Sequence, residues 1–251
     1  MSEIFWFSGT GNSLYAAKLI SAGLDNMALY SMRSGVPKDQ VGGEGEMIGF
    51  VYPSYYGNLP RIVRSFADKI RIKEGTYIFG LVTMGGLGFG SVAALGSLLK
   101  KKGLHLDYGK GIRMPANYVM NYNPADPSKS DNILDVKTKK IQKIANEIST
   151  RRKAVQNFKF TANNLYRDVE SLDVRFISED SCTGCGICAE ICSVNNIQIN
   201  DGRPTWRHHC EHCCACISWC PEKAIQYGNI TNNRRRYTNP RVGFNDMIQP
   251  R

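Results

Sequence analysis

Apolar runs alternate with helix-like segments through the first 155 residues of the chain. The strand-like runs are Ile4–Phe7, Met27–Tyr30, Met47–Tyr52, Tyr77–Thr83 and Leu104–Arg113. The helix candidates are Gly11–Gly23, Pro60–Ile70, Gly90–Lys101 and Asp131–Arg152. Because apolar strands that alternate with helices are typical of parallel sheets covered on both faces, the pattern predicts an α/β domain at residues 1–155 with a doubly wound, five-stranded parallel sheet.

The pattern changes at Cys182, where a cysteine-rich segment begins. All nine cysteines lie between Cys182 and Cys220, and a repeat of 28 residues relates the two halves of the segment. One half contributes Cys182, Cys185, Cys188 and Cys192, and the other contributes Cys210, Cys213, Cys216 and Cys220. A duplicated unit that binds two similar centres explains this repeat. We therefore predict a linker at 156–177, a second, smaller α+β domain at 178–228, and a polar basic tail at 229–251 that is only partly ordered.

The composition is that of a globular protein without a membrane span. The 251-residue chain is 42% hydrophobic and 22% charged, and no stretch approaches the roughly 18–20 uninterrupted apolar residues that a transmembrane helix needs. The first apolar run begins at Ile4, without the basic region and cleavage site of a secretory signal. We expect a cytoplasmic protein, in which metal binding explains clustered cysteines better than disulfides do.

The positive charge is concentrated in the first part of the chain. Residues 1–160 carry 22 Lys and Arg against 12 Asp and Glu, residues 161–251 carry 10 against 10, and the formal net charge is +10. A basic surface can bind nucleic acid, anionic membranes or acidic proteins. Because negatively charged cofactors would offset part of this charge, we expect acidic protein partners rather than nucleic acid or membranes. The sequence indicates no oligomeric state.

The cysteine spacing indicates iron–sulfur clusters. Both runs read C-x2-C-x2-C-x3-C, and a proline follows Cys220 at the end of the second run. This pattern resembles that of bacterial two-cluster ferredoxins, in which the fourth cysteine of each run binds the other cluster. The resemblance implies one 4Fe–4S cluster on Cys182, Cys185, Cys188 and Cys220, and a second on Cys210, Cys213, Cys216 and Cys192.

Two features of the cysteine-rich segment leave alternatives open. Zinc is the main rival to iron–sulfur clusters, because His208, His209 and His212 lie beside the second run, although zinc sites usually have paired C-x2-C elements. The ninth cysteine, Cys214, occupies the position that Gly186 has in the first half of the repeat. We interpret Cys214 as a small buried residue near a cluster, and the histidines as surface or hydrogen-bonding residues.

A glycine-rich loop connects the first predicted strand to the first predicted helix. It reads Ser8-Gly9-Thr10-Gly11-Asn12-Ser13, which places amides and hydroxyls at a helix N-terminus, where an anion is favoured. No lysine precedes Ser13, so the loop is not a nucleoside-triphosphate P-loop and suits a monophosphate. The loop resembles the phosphate loop of the flavodoxin family. This resemblance implies an FMN whose phosphate is bound by Ser8, Thr10, Gly11, Asn12 and Ser13.

Two further loops follow the third and fourth strands, where flavodoxins hold the flavin ring. Their aromatic residues suit stacking on the ring, and their glycines let backbone groups reach its polar edge. By this resemblance the ring-binding residues are Pro53, Ser54, Tyr55, Tyr56, Gly57, Asn58, Thr83, Met84, Gly85 and Gly86. Asn117 and Tyr118, after the fifth strand, are further candidates. Gly88, Gly90 and Ala93 match a dinucleotide-binding fingerprint, but they follow the fourth strand, so we assign them to the last of these loops.

The order of the two parts resembles that of flavodoxin–ferredoxin fusion proteins of anaerobic prokaryotes, over residues 1–155 and 178–228. The resemblance implies an electron-transfer protein that passes electrons between FMN and two 4Fe–4S clusters and on to redox partners. We expect an electron carrier or a reductase component rather than a stand-alone enzyme. One alternative is an oxidoreductase that acts on a substrate bound at the flavin. The other is a zinc-dependent nucleic-acid-binding protein that uses the basic segment Lys137–Lys153 and the arginine-rich tail.

Overall fold

The structure, a computed structural model, describes residues 1–86, 88, 90–156 and 173–248. Its first part is built on a parallel sheet of six strands, which are β1 (Glu3–Trp6), β2 (Ala28–Ser31), β3 (Met47–Pro53), β4 (Tyr77–Met84), β5 (Tyr108–Arg113) and β6 (Ala154–Val155). The strand order is β2-β1-β3-β4-β5-β6. Since the first five strands follow the flavodoxin-like order of doubly wound sheets, the predicted fold class is confirmed.

Two helices cover each face of this sheet. The helices are α1 (Asn12–Ala22), α2 (Arg61–Lys69), α3 (Gly90–Lys101) and α4 (Pro127–Ser149). Helices α1 and α4 pack on one face through a core that includes Leu14, Ile20 and Ile144. Helices α2 and α3 contribute Val63 and Leu95 to the core on the opposite face. Because both faces are covered, the carboxyl edge of the sheet remains as the place for a ligand.

The sheet has one strand more than the five that the sequence predicts. Strand β6 is two residues long and pairs with the first residues of β5, and so short a strand leaves no hydrophobic period in the sequence. The fifth predicted strand, Leu104–Arg113, begins only at Tyr108.

The fourth helix begins earlier than its apolar pattern predicts. The apolar pattern predicts a helix over Asp131–Arg152, whereas α4 begins at Pro127. The Asp126 side chain explains this start, because it accepts a hydrogen bond from the Lys129 amide and thereby caps the helix. Proline is favoured at the first helical position, where its missing N–H has no intrahelical partner to lose.

The cysteine-rich part forms a small α+β module. Its elements are β7 (Phe176–Ser178), α5 (Ile187–Glu190), β8 (Ile197–Asn200), β9 (Arg203–Trp206), α6 (Ala215–Trp219) and β10 (Ile225–Tyr227). Strand β7 pairs with β10 and β8 pairs with β9, and both pairs are antiparallel. Helices α5 and α6 are equivalent in the repeat, and each follows a residue in the left-handed conformation, Gly186 at φ 79° and Cys214 at φ 62°. The sequence repeat is therefore also a structural repeat.

The C-terminal segment packs against the first part of the chain, unlike the partly ordered tail that the sequence predicts. It ends in helix α7 (Phe244–Ile248), and Val242 and Met247 belong to the same hydrophobic core as α1. Most of the predicted linker, residues 157–172, lies outside the described residues, as do residues 249–251 of the tail. Of the helices that the structure describes, none has both the length and the apolar character of a membrane span.

Candidate functional site

The glycine-rich loop lies between β1 and α1, at the carboxyl edge of the sheet. The Ser8 hydroxyl oxygen accepts hydrogen bonds from the amides of Gly11, at 3.0 Å, and Ser13, at 3.3 Å. The hydroxyls of Ser13 and Thr83 lie 2.8 Å apart. The polar residues of the loop are all buried, namely Ser8, Thr10, Asn12 and Ser13. Amides and hydroxyls gathered at a helix N-terminus, without a cation in the loop, are a donor set that fits a monophosphate.

A cavity of about 270 Å³ lies beside this loop, among the residues that follow β3, β4 and β5. Nine of the predicted flavin-site residues line it, namely Asn12, Pro53, Ser54, Tyr55, Tyr56, Thr83, Met84, Gly85 and Gly86. The other predicted residues are not among those that line it, and they are Ser8, Thr10, Gly11, Ser13, Gly57 and Asn58. A Cβ built on Gly86 would meet no atom within 4 Å. An aromatic-lined cavity with open backbone at one edge fits a flavin ring.

Nine more residues line this cavity. The sequence analysis names two of them, Asn117 and Tyr118, as candidates for the flavin site. The nine are Met114, Pro115, Asn117, Tyr118, Asn121, Tyr122, His212, Cys213 and Cys214. The first six follow β5, where the sequence signal is a concentration of aromatic and amide residues. The last three belong to the cysteine module, and no local pattern predicts that they reach the edge of the sheet. They bring Cys213, a predicted cluster ligand, to the wall of the predicted flavin cavity.

A chain of hydrogen bonds joins the sheet to the cysteine module at this wall. The hydroxyls of Tyr56 and Tyr118 lie 2.5 Å apart, and the Tyr118 hydroxyl lies 3.3 Å from Nδ1 of His212. Burial raises the pKa of both tyrosines and lowers the pKa of His212 to about 4. At neutral pH all three groups are therefore neutral, so they offer hydrogen bonds to a ligand without adding charge.

Two smaller cavities lie within the cysteine module. One is lined by Cys182, Cys185, Cys188 and Cys220, and the other by Cys192, Cys210, Cys213 and Cys216 together with the ninth cysteine, Cys214. The fourth cysteine of each run thus lies in the cavity of the other run. Cys185 is exposed, whereas Cys188, Cys192, Cys210 and Cys216 are buried. The fold brings the eight cysteines together in the two groups that the ferredoxin resemblance implies.

The surroundings of these sulfurs fit an iron–sulfur centre. The Asn196 amide donates a hydrogen bond to Cys192 Sγ at 3.1 Å, and the His212 amide donates one to Cys210 Sγ at 3.2 Å. Such amide–sulfur bonds tune the potentials of iron–sulfur clusters. Burial raises the pKa of Cys188 to about 11 and that of Cys210 to about 12. These thiols are therefore protonated at neutral pH unless a metal centre binds them.

In the part of the chain that the structure describes, no three Cys, His, Asp or Glu side chains are placed to hold one metal ion, as structural zinc requires. The candidate histidines have other contacts. His208 Nδ1 lies 2.7 Å from Asp173 Oδ1, and His209 Nε2 lies 2.9 Å from the Val194 carbonyl oxygen.

Comparisons with known proteins identify a domain in the cysteine-rich part of the chain. Among solved structures, a candidate flavoprotein from Bacteroides uniformis is 18% identical, over 45% of this chain and 89% of that protein, with a TM-score of 0.32. No curated protein matches the chain. The family model described as a 4Fe-4S binding domain matches residues 175–198, which contain the first cysteine run. The cysteine module therefore contains a 4Fe–4S binding domain, with the capacity for iron–sulfur electron transfer.

Proposed function

We propose that the protein transfers electrons between an FMN at the sheet edge and two 4Fe–4S clusters in the cysteine module, and on to redox protein partners. One observation carries this proposal, namely that Cys213 lines both the flavin cavity and the second cysteine cavity. A ligand of one redox centre thus forms part of the wall around the other, so no separate layer of protein lies between the two sites. On this proposal the chain is a flavodoxin–ferredoxin fusion protein.

The chain contributes binding and orientation to this function. FMN supplies two-electron chemistry that can run in single-electron steps, and each cluster carries one electron. The residues proposed to hold the phosphate are Ser8, Thr10, Gly11, Asn12 and Ser13, and the eight cysteines are proposed to hold the clusters. Tyr56 and Tyr118 keep their protons because burial raises the pKa of each, so they orient the ring as neutral groups. Gly85 and Gly86 leave the ring edge open to backbone groups.

The size of the cavity favours a carrier over an enzyme that binds a further substrate. Ligand pockets usually measure roughly 300–1,000 Å³, and this cavity measures about 270 Å³. A cavity slightly below that range favours the flavin ring alone over the ring together with a further substrate. The substrate-reducing oxidoreductase therefore remains the second candidate, and the zinc protein has no single-ion site in the described residues.

A groove beside the second cysteine cavity supports an acidic redox partner. It measures about 540 Å³, and the charged residues that line it are Arg33, Arg61, Lys69 and Glu211, of which Arg61 and Glu211 form an ion pair. The groove also includes Ser193 and Val194, which directly follow Cys192. An acidic protein that docked there would lie next to a cluster ligand, and charge complementarity would speed its association. We propose that electron transfer to this partner takes place in the cytoplasm.

The test is an anaerobic visible spectrum with iron, sulfide, zinc and flavin assays on one sample of the purified full chain. The proposal requires about eight iron, eight sulfide and one FMN per chain. Stepwise reduction with dithionite should then bleach the flavin and the cluster absorbance together, because electrons equilibrate between the two kinds of centre. Zinc without iron or flavin would overturn the proposal, and steady turnover of a small substrate without a protein acceptor would favour the oxidoreductase.

A further inference from the structure

The glycine-rich loop is covered by the segment Tyr237–Val242, which we call the C-terminal strap. Asn239 lies at its centre and is fully buried, with 0% of its surface exposed. The Asn239 amide donates a hydrogen bond of 2.7 Å to the Thr10 carbonyl oxygen. The Asn239 side-chain amide donates a second, of 3.0 Å, to Asn12 Oδ1. A polar side chain is rarely buried so completely unless its hydrogen bonds matter to the fold.

Asn12 receives a further bond from the strap. The Tyr237 hydroxyl donates to Asn12 Oδ1 at 2.7 Å, and the Asn12 side-chain amide donates to the Pro115 carbonyl oxygen at 3.0 Å. Both ends of the Asn12 amide are thereby fixed. Asn12 is also the one residue of the predicted phosphate loop that lines the flavin cavity. The strap therefore orients the residue at which the loop and the cavity meet.

Close packing joins the strap to the loop as well. Gly11 has φ +94°, and a Cβ placed on it would lie 3.0 Å from the Asn239 Cβ and 3.2 Å from the Val242 Cβ. The strap is anchored outside the loop by Arg241, which donates hydrogen bonds to the Tyr15 hydroxyl at 2.8 Å and to Asp135. The strap thus packs on the loop at Gly11 and is held to helices α1 and α4 through Arg241. The loop therefore cannot open without moving the strap.

We propose that Tyr237 and Asn239 are positioning residues for the phosphate end of the flavin, acting through Asn12 and Thr10. This inference rests on the proposed function, because it takes FMN as the ligand. Without the strap, Asn12 loses two donors and the loop loses its cover, so the phosphate is bound less tightly. The ring end of the site keeps its other walls, such as Tyr56 and Tyr118, so the affinity for the ring should change less than the affinity for the phosphate. The strap therefore determines how much the phosphate adds to flavin affinity.

The test compares FMN with riboflavin, which has the same ring and no phosphate, as ligands of the flavin-depleted full chain. Tyr237→Phe removes the hydroxyl but keeps the ring, and Asn239→Leu removes the side-chain donor to Asn12 without adding a charge. Each substitution should reduce the ratio of riboflavin to FMN dissociation constants about 5- to 30-fold, the usual effect of one buried hydrogen bond. The phosphorus NMR signal of bound FMN should shift in both variants.

Tyr77→Phe is the matched control. Tyr77 and Tyr237 are each 5% exposed, and the Tyr77 hydroxyl also donates one hydrogen bond, to the Arg152 carbonyl oxygen at 2.6 Å. Its loss should leave the dissociation-constant ratio unchanged. An unchanged ratio in both strap variants, or an equal fall in the control, would overturn the strap proposal. If the wild-type chain binds neither flavin, the proposed function fails instead.

Discussion

Gly9 lies against the backbone of Cys213, so closely that a Cβ placed on Gly9 would lie 2.1 Å from the Cys213 carbonyl oxygen. The Trp219 indole Nε1 donates a hydrogen bond of 3.0 Å to the Gly9 carbonyl oxygen and strengthens the same contact. The predicted phosphate loop and a predicted cluster ligand are therefore in direct contact. The close approach requires glycine at position 9, because any side chain would push the cysteine module away from the loop.

Gly9→Ala should weaken this contact. Overlap with a backbone atom cannot be relieved by a rotamer change, so we expect a loss of about 1–3 kcal/mol in the free energy of unfolding, together with weaker FMN binding. Thermal unfolding and FMN titration measure the two effects. Gly96→Ala, in helix α3, is the control, because its new methyl group would meet no side-chain atom nearer than 3.8 Å. Equal behaviour of the two variants would contradict the prediction.

Glu211 joins the modules at a second place. This buried carboxylate accepts hydrogen bonds of 3.0 Å from the amides of Arg61 and Ile62, at the N-terminus of α2, where the helix dipole favours negative charge. Glu211→Ala should lower the free energy of unfolding by about 1–3 kcal/mol, because two amides lose their acceptor. Thermal unfolding of the holoprotein is the measurement. Glu74→Ala, at an exposed glutamate, should have little effect, and an equal loss there would argue against the capping role.

Glu147 should make the stability depend on acid pH. Hydrogen bonds from Lys110 and Tyr108 lower the pKa of this carboxyl below its ordinary value of 4.5. Its stabilising contribution is therefore complete above that value and is lost as the pH falls through the lower pKa of the folded state. Glu147→Gln should reduce the melting temperature at pH 7 and flatten its decline toward pH 3. Parallel melting curves for variant and wild type would refute this assignment.

We expect eight of the nine cysteines to bind the clusters and Cys214 not to bind one. Cys185→Ala should reduce the iron content from about eight to about four per chain, since it removes one ligand of one cluster. Cys214→Ala should keep all the iron, because Cys214 occupies the repeat position of Gly186 and its Sγ lies 3.7 Å from Met120 Sδ. Iron and sulfide assays under anaerobic conditions decide the matter. Loss of iron from Cys214→Ala would make Cys214 a ligand.

The architecture of the first part could be predicted because its signals are local. Each apolar run and each helix period lies within about a dozen residues, and the loop Ser8–Ser13 has its glycines and hydroxyls in one stretch. The grouping of the cysteines was implied by the resemblance of their spacing to that of two-cluster ferredoxins. Strand β6 could not be predicted, because two residues show no period. Its pairing with β5 depends on where the long helix α4 ends.

The contacts across the site could not be predicted, because they join distant parts of the chain. Asn239 and Tyr237 occur in a polar, arginine-rich stretch that suggests a solvated tail, yet each is buried against Asn12, more than 220 residues earlier in the sequence. His212 and Cys214 had been assigned local roles beside the clusters. Only the docking of the module places them in the cavity wall. A single sequence has no signal for such docking.

The exchange of Cys192 and Cys220 between the two cavities has a consequence for assembly. A chain with one 28-residue unit would supply three cysteines to its own centre and would need the fourth from a second copy. Its maturation would be a second-order process that slows as the protein is diluted. Joining the units in one polypeptide makes completion of the ligand sets first-order, so the yield of loaded protein no longer depends on how much of it the cell makes.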